Sequence, residues 1–172
     1  MIEMSKDLLF DISAIMTYIS EICLSTEKLY SELSNYSNHI QKLILDEYQN
    51  PVYTKLDELV KNNNIFITKM AKNKTEELIT SLGTNNEKNN LKKFFEKAQL
   101  IDDDPDKIFN EFKGKIWSIY NKNIFGTAYK FNYTIVTGNI DILNDLINGK
   151  EIKIDYVAHR SRCFLGHKNI KN

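Results

Sequence analysis

Leu8, Ile12, Ile15, Ile19 and Ile22, followed by Thr26, Leu29, Leu33, Tyr36, Ile40 and Leu43, recur with a spacing of four and three. That period predicts a long amphipathic helix or two helices in line. Leu9, Met16 and Leu45 widen the stripe, which favours packing inside a bundle over a free coiled coil. Asn50-Pro51 interrupts the pattern, because proline disfavours helical geometry in the residue before it and suits a first turn. A second helix is expected from there, through Val52, Leu56, Leu59, Val60, Ile67 and Met70 and on to Leu78 and Leu82. Asn62 to Asn64 weaken it midway, and Gly83 is its stop.

Thr84 to Asn90 is polar and Asn-rich and reads as a surface loop before helical spacing resumes at Leu91, Phe94, Phe95 and Leu100. Asp104 and Pro105 predict an N-cap and a first-turn proline for a helix burying Ile108, Phe109, Phe112, Ile116, Ile119 and Tyr120. The carboxylates Asp102, Asp103, Asp104 and Asp106 fit capping better than a hard-metal site. Phe131, Tyr133 and Ile135 alternate with Asn132 and Thr134, leaving residues 131–136 open between a short extended segment and a helix. Asn139 caps a short helix through Ile140, Leu143, Leu146 and Ile147, which Gly149 ends. A last helix is expected from about Asp155, with Tyr156, Val157 and Phe164 turned inward. The predicted fold is therefore all-α: a single helical bundle over residues 1–172 with a long N-terminal helix or helix pair.

Composition changes this picture little. A 172-residue chain that is 42% hydrophobic can bury a core without disulfides. Cys23 and Cys163 match neither a disulfide framework nor a zinc spacing, which points to a reducing compartment. The apolar run from Leu8 to Leu24 is broken by Asp11 and Glu21, so it predicts neither a secretory segment nor a membrane span and suggests a cytoplasmic location. With 23 basic and 23 acidic residues, the overall field offers no general attraction to nucleic acid, and any such contact must be local. GxGxxG, Walker, HExxH and GxSxG patterns do not occur and glycines number only six, so no cofactor is expected.

The basic residues themselves are unevenly chosen. Of the 23, 21 are lysines, and the two arginines, Arg160 and Arg162, lie together with His159 and His167 on either side. Imidazole exchanges protons near neutrality, and a guanidinium holds a phosphate through paired hydrogen bonds, so the window Ala158 to His167 offers a kit for cutting RNA without a metal. The spacing of Arg162 to His167, or of Arg160 to His167, resembles the Arg-x(4 to 6)-His signature of HEPN domains. That resemblance implies an all-helical, commonly homodimeric, metal-independent endoribonuclease of toxin–antitoxin, abortive-infection or other defence systems, under the control of a possible antitoxin. It assigns catalysis to Arg162 and His167, assisted by Arg160, with RNA as substrate and a composite site shared by two protomers. The plainer use of the two arginines is to bond nearby carboxylates or the last carbonyls of a helix. A competing function is a non-catalytic helical interaction protein, an inhibitor or scaffold that docks a partner through the seam at Ile15, Ile22, Leu29 and Leu33.

Overall fold

A computed structural model of the chain describes residues 6–166. At its centre is a parallel sheet of five strands in the order β3-β2-β1-β4-β5: β1 (Asp7–Phe10), β2 (Asn64–Thr68), β3 (Gln99–Ile101), β4 (Thr134–Thr137) and β5 (Tyr156–Ala158). Leu9 stands opposite Phe66 on one side and Ile135 on the other, and the outer strands join through Ile67 with Leu100 and Val136 with Val157. The protein is thus α/β, which corrects the all-α bundle. The strands carry Leu8-Leu9-Phe10, Ile65-Phe66-Ile67 and Ile135-Val136, all but Phe66 essentially buried. A strand covered on both faces is continuously apolar and lacks alternation, so its short run passes for part of a helical stripe.

The supposed N-terminal helix is accordingly broken up. It contains β1, then α1 (Ile12–Ile19), α2 (Glu21–Leu24) and α3 (Thr26–Ser31), a short 3-10 turn at Leu33–Asn35, and α4 (Asn38–Gln49). Asp11 caps α1 by accepting from Ala14 N, and Ser20 caps α2 by accepting from Ile22 N. These polar residues cut the apolar stripe, because each offers the backbone a side-chain partner that starts a new helix. Ile15, Ile22 and Leu29 are all buried within the chain's own cores, with Leu33 packed against the smaller one. A seam spent on internal packing gives no support to the helical interaction protein.

The second helix, α5 (Val52–Asn62), starts after Pro51 as its spacing predicts, but ends at the Asn62 to Asn64 run, where β2 begins. After β2 come α6 (Lys69–Leu82), which Gly83 closes, and α7 (Asn85–Lys97). The Asn-rich stretch is the opening of α7 and not a loop. Thr84 and Glu87 form a reciprocal capping box, a Thr-x-x-Glu signature that was there to be read. Asp104 and Pro105 lie in irregular chain, and Asp106 caps a 3-10 turn at Lys107–Glu111 before α8 (Ile119–Lys130) starts at Ser118. The acidic run does cap and pair: Asp103 accepts from Met70 N at the start of α6, while Asp102 and Asp104 pair with Lys69 and Lys130. Residues 134–137 resolve the open segment as strand, and α9 (Ile140–Asn144) continues as a π-helical turn to Gly149. No helix forms near Asp155; β5 and an irregular segment to Gly166 take its place.

The main core joins β1, β2 and β4 to α1, α5, α6, α7 and α8, and a smaller cluster of Ile22, Leu29, Tyr36, Ile40, Ile44 and Leu165 lies beneath α2 to α4. Among the described residues no helix is long and apolar enough to cross a membrane. Phe10, fully buried at the end of the central strand and 5.7 Å from the Phe94 ring, is a sensitive test of this arrangement. Phe10→Ala should cost about 3–5 kcal/mol, read as a lower midpoint in denaturant titration followed by circular dichroism.

Candidate functional site

In an open parallel sheet, ligands settle beyond the carboxyl ends of the strands, where successive connections leave in opposite directions. Here that point lies between β1 and β4, because the chain builds outward through β2 and β3 and then crosses to the other side of β1. Two turns meet there: the first turn of α1 with its cap, Asp11-Ile12-Ser13, and Thr137-Gly138-Asn139 where the chain leaves β4. Asp11 accepts through Oδ1 from Ser13 Oγ at 2.6 Å and Ala14 N at 2.8 Å, and through Oδ2 from Thr137 Oγ1 at 2.5 Å. Ser13 Oγ in turn accepts from Gly138 N at 2.7 Å, and Thr137 Oγ1 from Asn139 N at 2.9 Å. The turns are therefore joined by a closed set of hydrogen bonds. Ser13, Gly138, Asn139, Ile140, Asp141 and Ser161 line an open crevice of about 340 Å³ beside them.

His159 lies buried beside the crevice, behind Gly138. Its backbone N–H extends the ladder to Thr137 O at 3.0 Å, and its ring Nδ1 lies 3.0 Å from the Arg160 carbonyl. A carbonyl can only accept, so Nδ1 carries the proton and Nε2 keeps its lone pair. Nε2 is buried and finds no hydrogen-bond partner among the described residues, in a side chain only 8% exposed. Gly138 makes room for this ring: a Cβ there would stand 3.0 Å from His159 Cε1 and would collide with Ser161 Oγ.

Burial shifts both buried titratable groups toward neutrality. It raises the Asp11 carboxyl above its ordinary value, against the lowering effect of bonds from Ser13, Thr137 and Ala14 and of the His159 charge. It lowers His159 below 6.5, opposed by the Arg160 carbonyl and Asp11 and assisted by the positive charges of Lys55 and Arg162. The imidazole is thus neutral at physiological pH and able to accept a proton.

The arginines singled out by their scarcity are placed differently. Arg162 is buried, with Nε 3.0 Å from Glu47 Oε2, Nη2 2.8 Å from Asp46 Oδ2, and Nη1 donating to Ser161 O at 3.2 Å. Arg160 bonds Asp46 through Nη1, while its side chain stays 63% exposed. Glu47 also caps α5, accepting from Val52 N and Tyr53 N at 2.9 and 3.0 Å. The two arginines therefore converge on carboxylates of α4, the plainer of the two uses their chemistry allowed. His167 lies outside the described residues. His159 and Arg162, within the last helix expected from about Asp155, instead sit on an extended segment with the imidazole at the sheet edge and the guanidinium against α4.

As site residues Asp11, Ser13, Thr137, Gly138, Asn139 and Asp141 were not singled out by the sequence, in which Asp11 reads only as a break in the apolar run and Asn139 only as a helix cap. The signal available was two similar strings, an apolar run followed by Asp-x-Ser and another followed by Thr-Gly-Asn-x-Asp, each a strand leading through a polar turn into a capped helix. Among the described residues, no group of three or more His, Cys, Asp or Glu side chains is gathered to hold a metal ion.

Fold and crevice together define an α/β protein with a polar site at the carboxyl edge of a parallel sheet. The chain belongs to the family described as "Protein of unknown function (DUF1308)", which it matches over residues 8–171. This membership and the parallel sheet overturn the resemblance to HEPN domains. No curated protein matches the chain.

Two outcomes follow from this geometry. Arg162→Ala should destabilise the fold by about 3–5 kcal/mol, because it strands buried Glu47 without its partner. The pair Arg162→Met with Glu47→Gln, which removes the charges together and keeps an acceptor for α5, should recover part of that loss in thermal melts. As pH falls below 6.5, the unfolded chain gains a proton at His159 before the folded one does, so stability drops toward the lowered folded value. His159→Gln should lack that component when urea midpoints are compared from pH 7.5 down to pH 5.

Proposed function

We propose that this protein is an RNA-cleaving enzyme whose site is the crevice between β1, β4 and β5, with His159 as the proton acceptor. The observation that carries this reading is the His159 Nε2 lone pair: its tautomer is held by the Arg160 carbonyl, its ring is kept neutral by burial, and it has no partner among the described residues. A buried acceptor left unpaired costs stability, and such groups concentrate where chemistry uses them.

The surroundings suit a ribose phosphate. Ser13, Asn139, Asp141 and Ser161 border the crevice with hydroxyl, amide and carboxylate groups, the kind of lining that recognises sugar hydroxyls. Arg160, largely exposed and adjacent to His159, keeps guanidinium donors beyond the one given to Asp46, and these can hold a phosphate. Ser161 Oγ and the Cε1 edge of His159 flank the same point above Gly138, and this reading requires the exposed Ser161 side chain to turn aside and uncover the ring.

In the reaction, Nε2 takes the proton of a 2′-hydroxyl, the 2′-oxygen attacks the neighbouring phosphorus, and the 5′-oxygen departs with a proton from water, whose hydroxide then takes back the proton held on Nε2. The products are a 2′,3′-cyclic phosphate and a 5′-hydroxyl. One chain carries the whole crevice, so this reading requires no composite site across two copies. The antitoxin and defence setting came with the HEPN resemblance and is set aside with it.

Incubation of the protein with a single-stranded RNA oligonucleotide in EDTA should yield cyclic-phosphate ends, and none from an oligonucleotide with 2′-deoxy sugars throughout. His159→Ala should slow cutting by about 10²- to 10⁴-fold, the usual worth of a general base, with the circular dichroism spectrum retained. Cutting that persists in the folded variant would sink the assignment.

A further inference from the structure

Away from the sheet edge, Tyr18 and Ile19 of α1, Leu24 of α2, Tyr53 of α5, and Asn90, Lys93, Phe94 and Lys97 of α7 enclose a second cavity of about 210 Å³. Its floor is aromatic. Tyr18 stacks on Tyr53 with ring centroids 5.4 Å apart and 21° between planes, and Phe94 is tilted against Tyr18 at 5.5 Å. The Tyr18 and Tyr53 hydroxyls both donate to Asp57 Oδ1, at 3.0 and 3.4 Å, which fixes the rings and turns their polar ends away from any need for a ligand.

The rim is cationic. Asn90, Lys93 and Lys97 follow one another at intervals of three and four residues along α7, so they share one helical face. Both lysines are exposed, and neither forms an ion pair among the described residues, although the charge of Lys97 is felt by Asp57. Asn90 Nδ2 donates to Ile19 O at 3.2 Å, which orients the amide and leaves its oxygen as an acceptor. Leu24, 39% exposed at the edge, adds an apolar wall that water covers poorly.

A flat ring would be held on an aromatic and aliphatic floor, an N–H on that ring would meet the Asn90 oxygen, and an anionic substituent would lie between two free ammonium groups. We propose that this cavity is a nucleotide-binding site, taking a single base against the partly exposed Tyr53, which buried Tyr18 and Phe94 back from beneath, and its phosphate on Lys93 and Lys97. Base stacking on aromatic rings combined with lysine contact to phosphate is the general means of holding unpaired nucleotides. The same chemistry is offered by a free nucleoside monophosphate and by one unit of a single strand. None of the residues involved belongs to the crevice around His159, so this site stands or falls independently of RNA cleavage.

Calorimetric titration with adenosine 5′-monophosphate should show saturable 1:1 binding at low salt, weakened by added salt as two phosphate contacts require. Adenosine and ribose 5-phosphate, each lacking one half of the ligand, should each bind at least about tenfold more weakly. Lys93→Ala with Lys97→Ala, both exposed, should leave the melting temperature unchanged and weaken the nucleotide by about tenfold or more. Tyr53→Leu should weaken the nucleotide with less effect on ribose 5-phosphate. A short oligoadenylate that binds much more tightly than the monomer, and loses that gain in the lysine variant, would identify a strand as the source; equal binding per nucleotide would identify the free nucleotide. Absence of saturation with either ligand, or equal binding of ribose 5-phosphate and the nucleotide, would overturn the proposal.

Discussion

The architecture depends on one buried ion pair. Arg162 and Glu47 meet with side chains almost wholly withdrawn from water, an arrangement that is costly to assemble and costlier to break, because either partner alone would be an uncompensated charge in a low-dielectric interior. Asp46 binds the same guanidinium, and Glu47 uses its other oxygen to cap α5. A carboxylate at the end of α4 thereby orients the next helix and anchors a segment more than a hundred positions further along the chain. Lysine could not replace Arg162 in this role, since it lacks the planar fork that reaches Glu47, Asp46 and the Ser161 carbonyl together. This accounts for the choice of arginine in a chain otherwise supplied with lysine.

The segment held in this way is a strap across the helical layer. Arg162 N donates to Thr17 Oγ1, Cys163 O accepts from Ser20 Oγ, and Leu165 N donates to Glu87 Oε1. Glu87 also accepts from Glu21 N and Thr84 N, so one buried carboxylate ties α2, α7 and the strap together. Gly166, at a φ of +41°, passes so close to the Leu82 carbonyl that a Cβ would collide with it, which is where glycine's freedom is needed. The strap leaves β5 directly; Ser161 lines the crevice, and His159 is buried beside it against Gly138. Stability of the helical layer and geometry of the sheet edge are therefore coupled through a few consecutive residues.

The two sites divide the molecule chemically. The sheet-edge crevice is lined by short polar side chains and Ile140, with a buried imidazole behind Gly138, whereas the cavity between α1, α2, α5 and α7 is aromatic below and cationic above. α1 connects them: Asp11 caps its first turn at the crevice, and Tyr18 and Ile19 at its last turn form part of the second cavity. A helix of eight residues rises about 12 Å from one site toward the other.

Local interactions were legible in the sequence where they act over a few residues. Pro51 before α5 and Gly83 at the end of α6 follow from backbone restraints that need no distant partner; a helix does begin after Asn139, but the Asn139 side chain makes no capping bond. The free Cys23 and Cys163 also follow from their spacing. The unusual character of the Arg160 to Arg162 window was visible as well, though not its use. What tertiary structure alone decided is the sheet and everything built on its edge. Leu8-Leu9-Phe10 and Ile65-Phe66-Ile67 become strands because they pair with each other and with Ile135-Val136 across more than fifty residues of chain, and a strand buried on both faces leaves no alternation to distinguish it from a helix. Asp11, Thr137 and His159 acquire a shared chemistry only when parallel pairing brings three strand ends to one place, and that juxtaposition is a property of the fold, carried by no local pattern of residues.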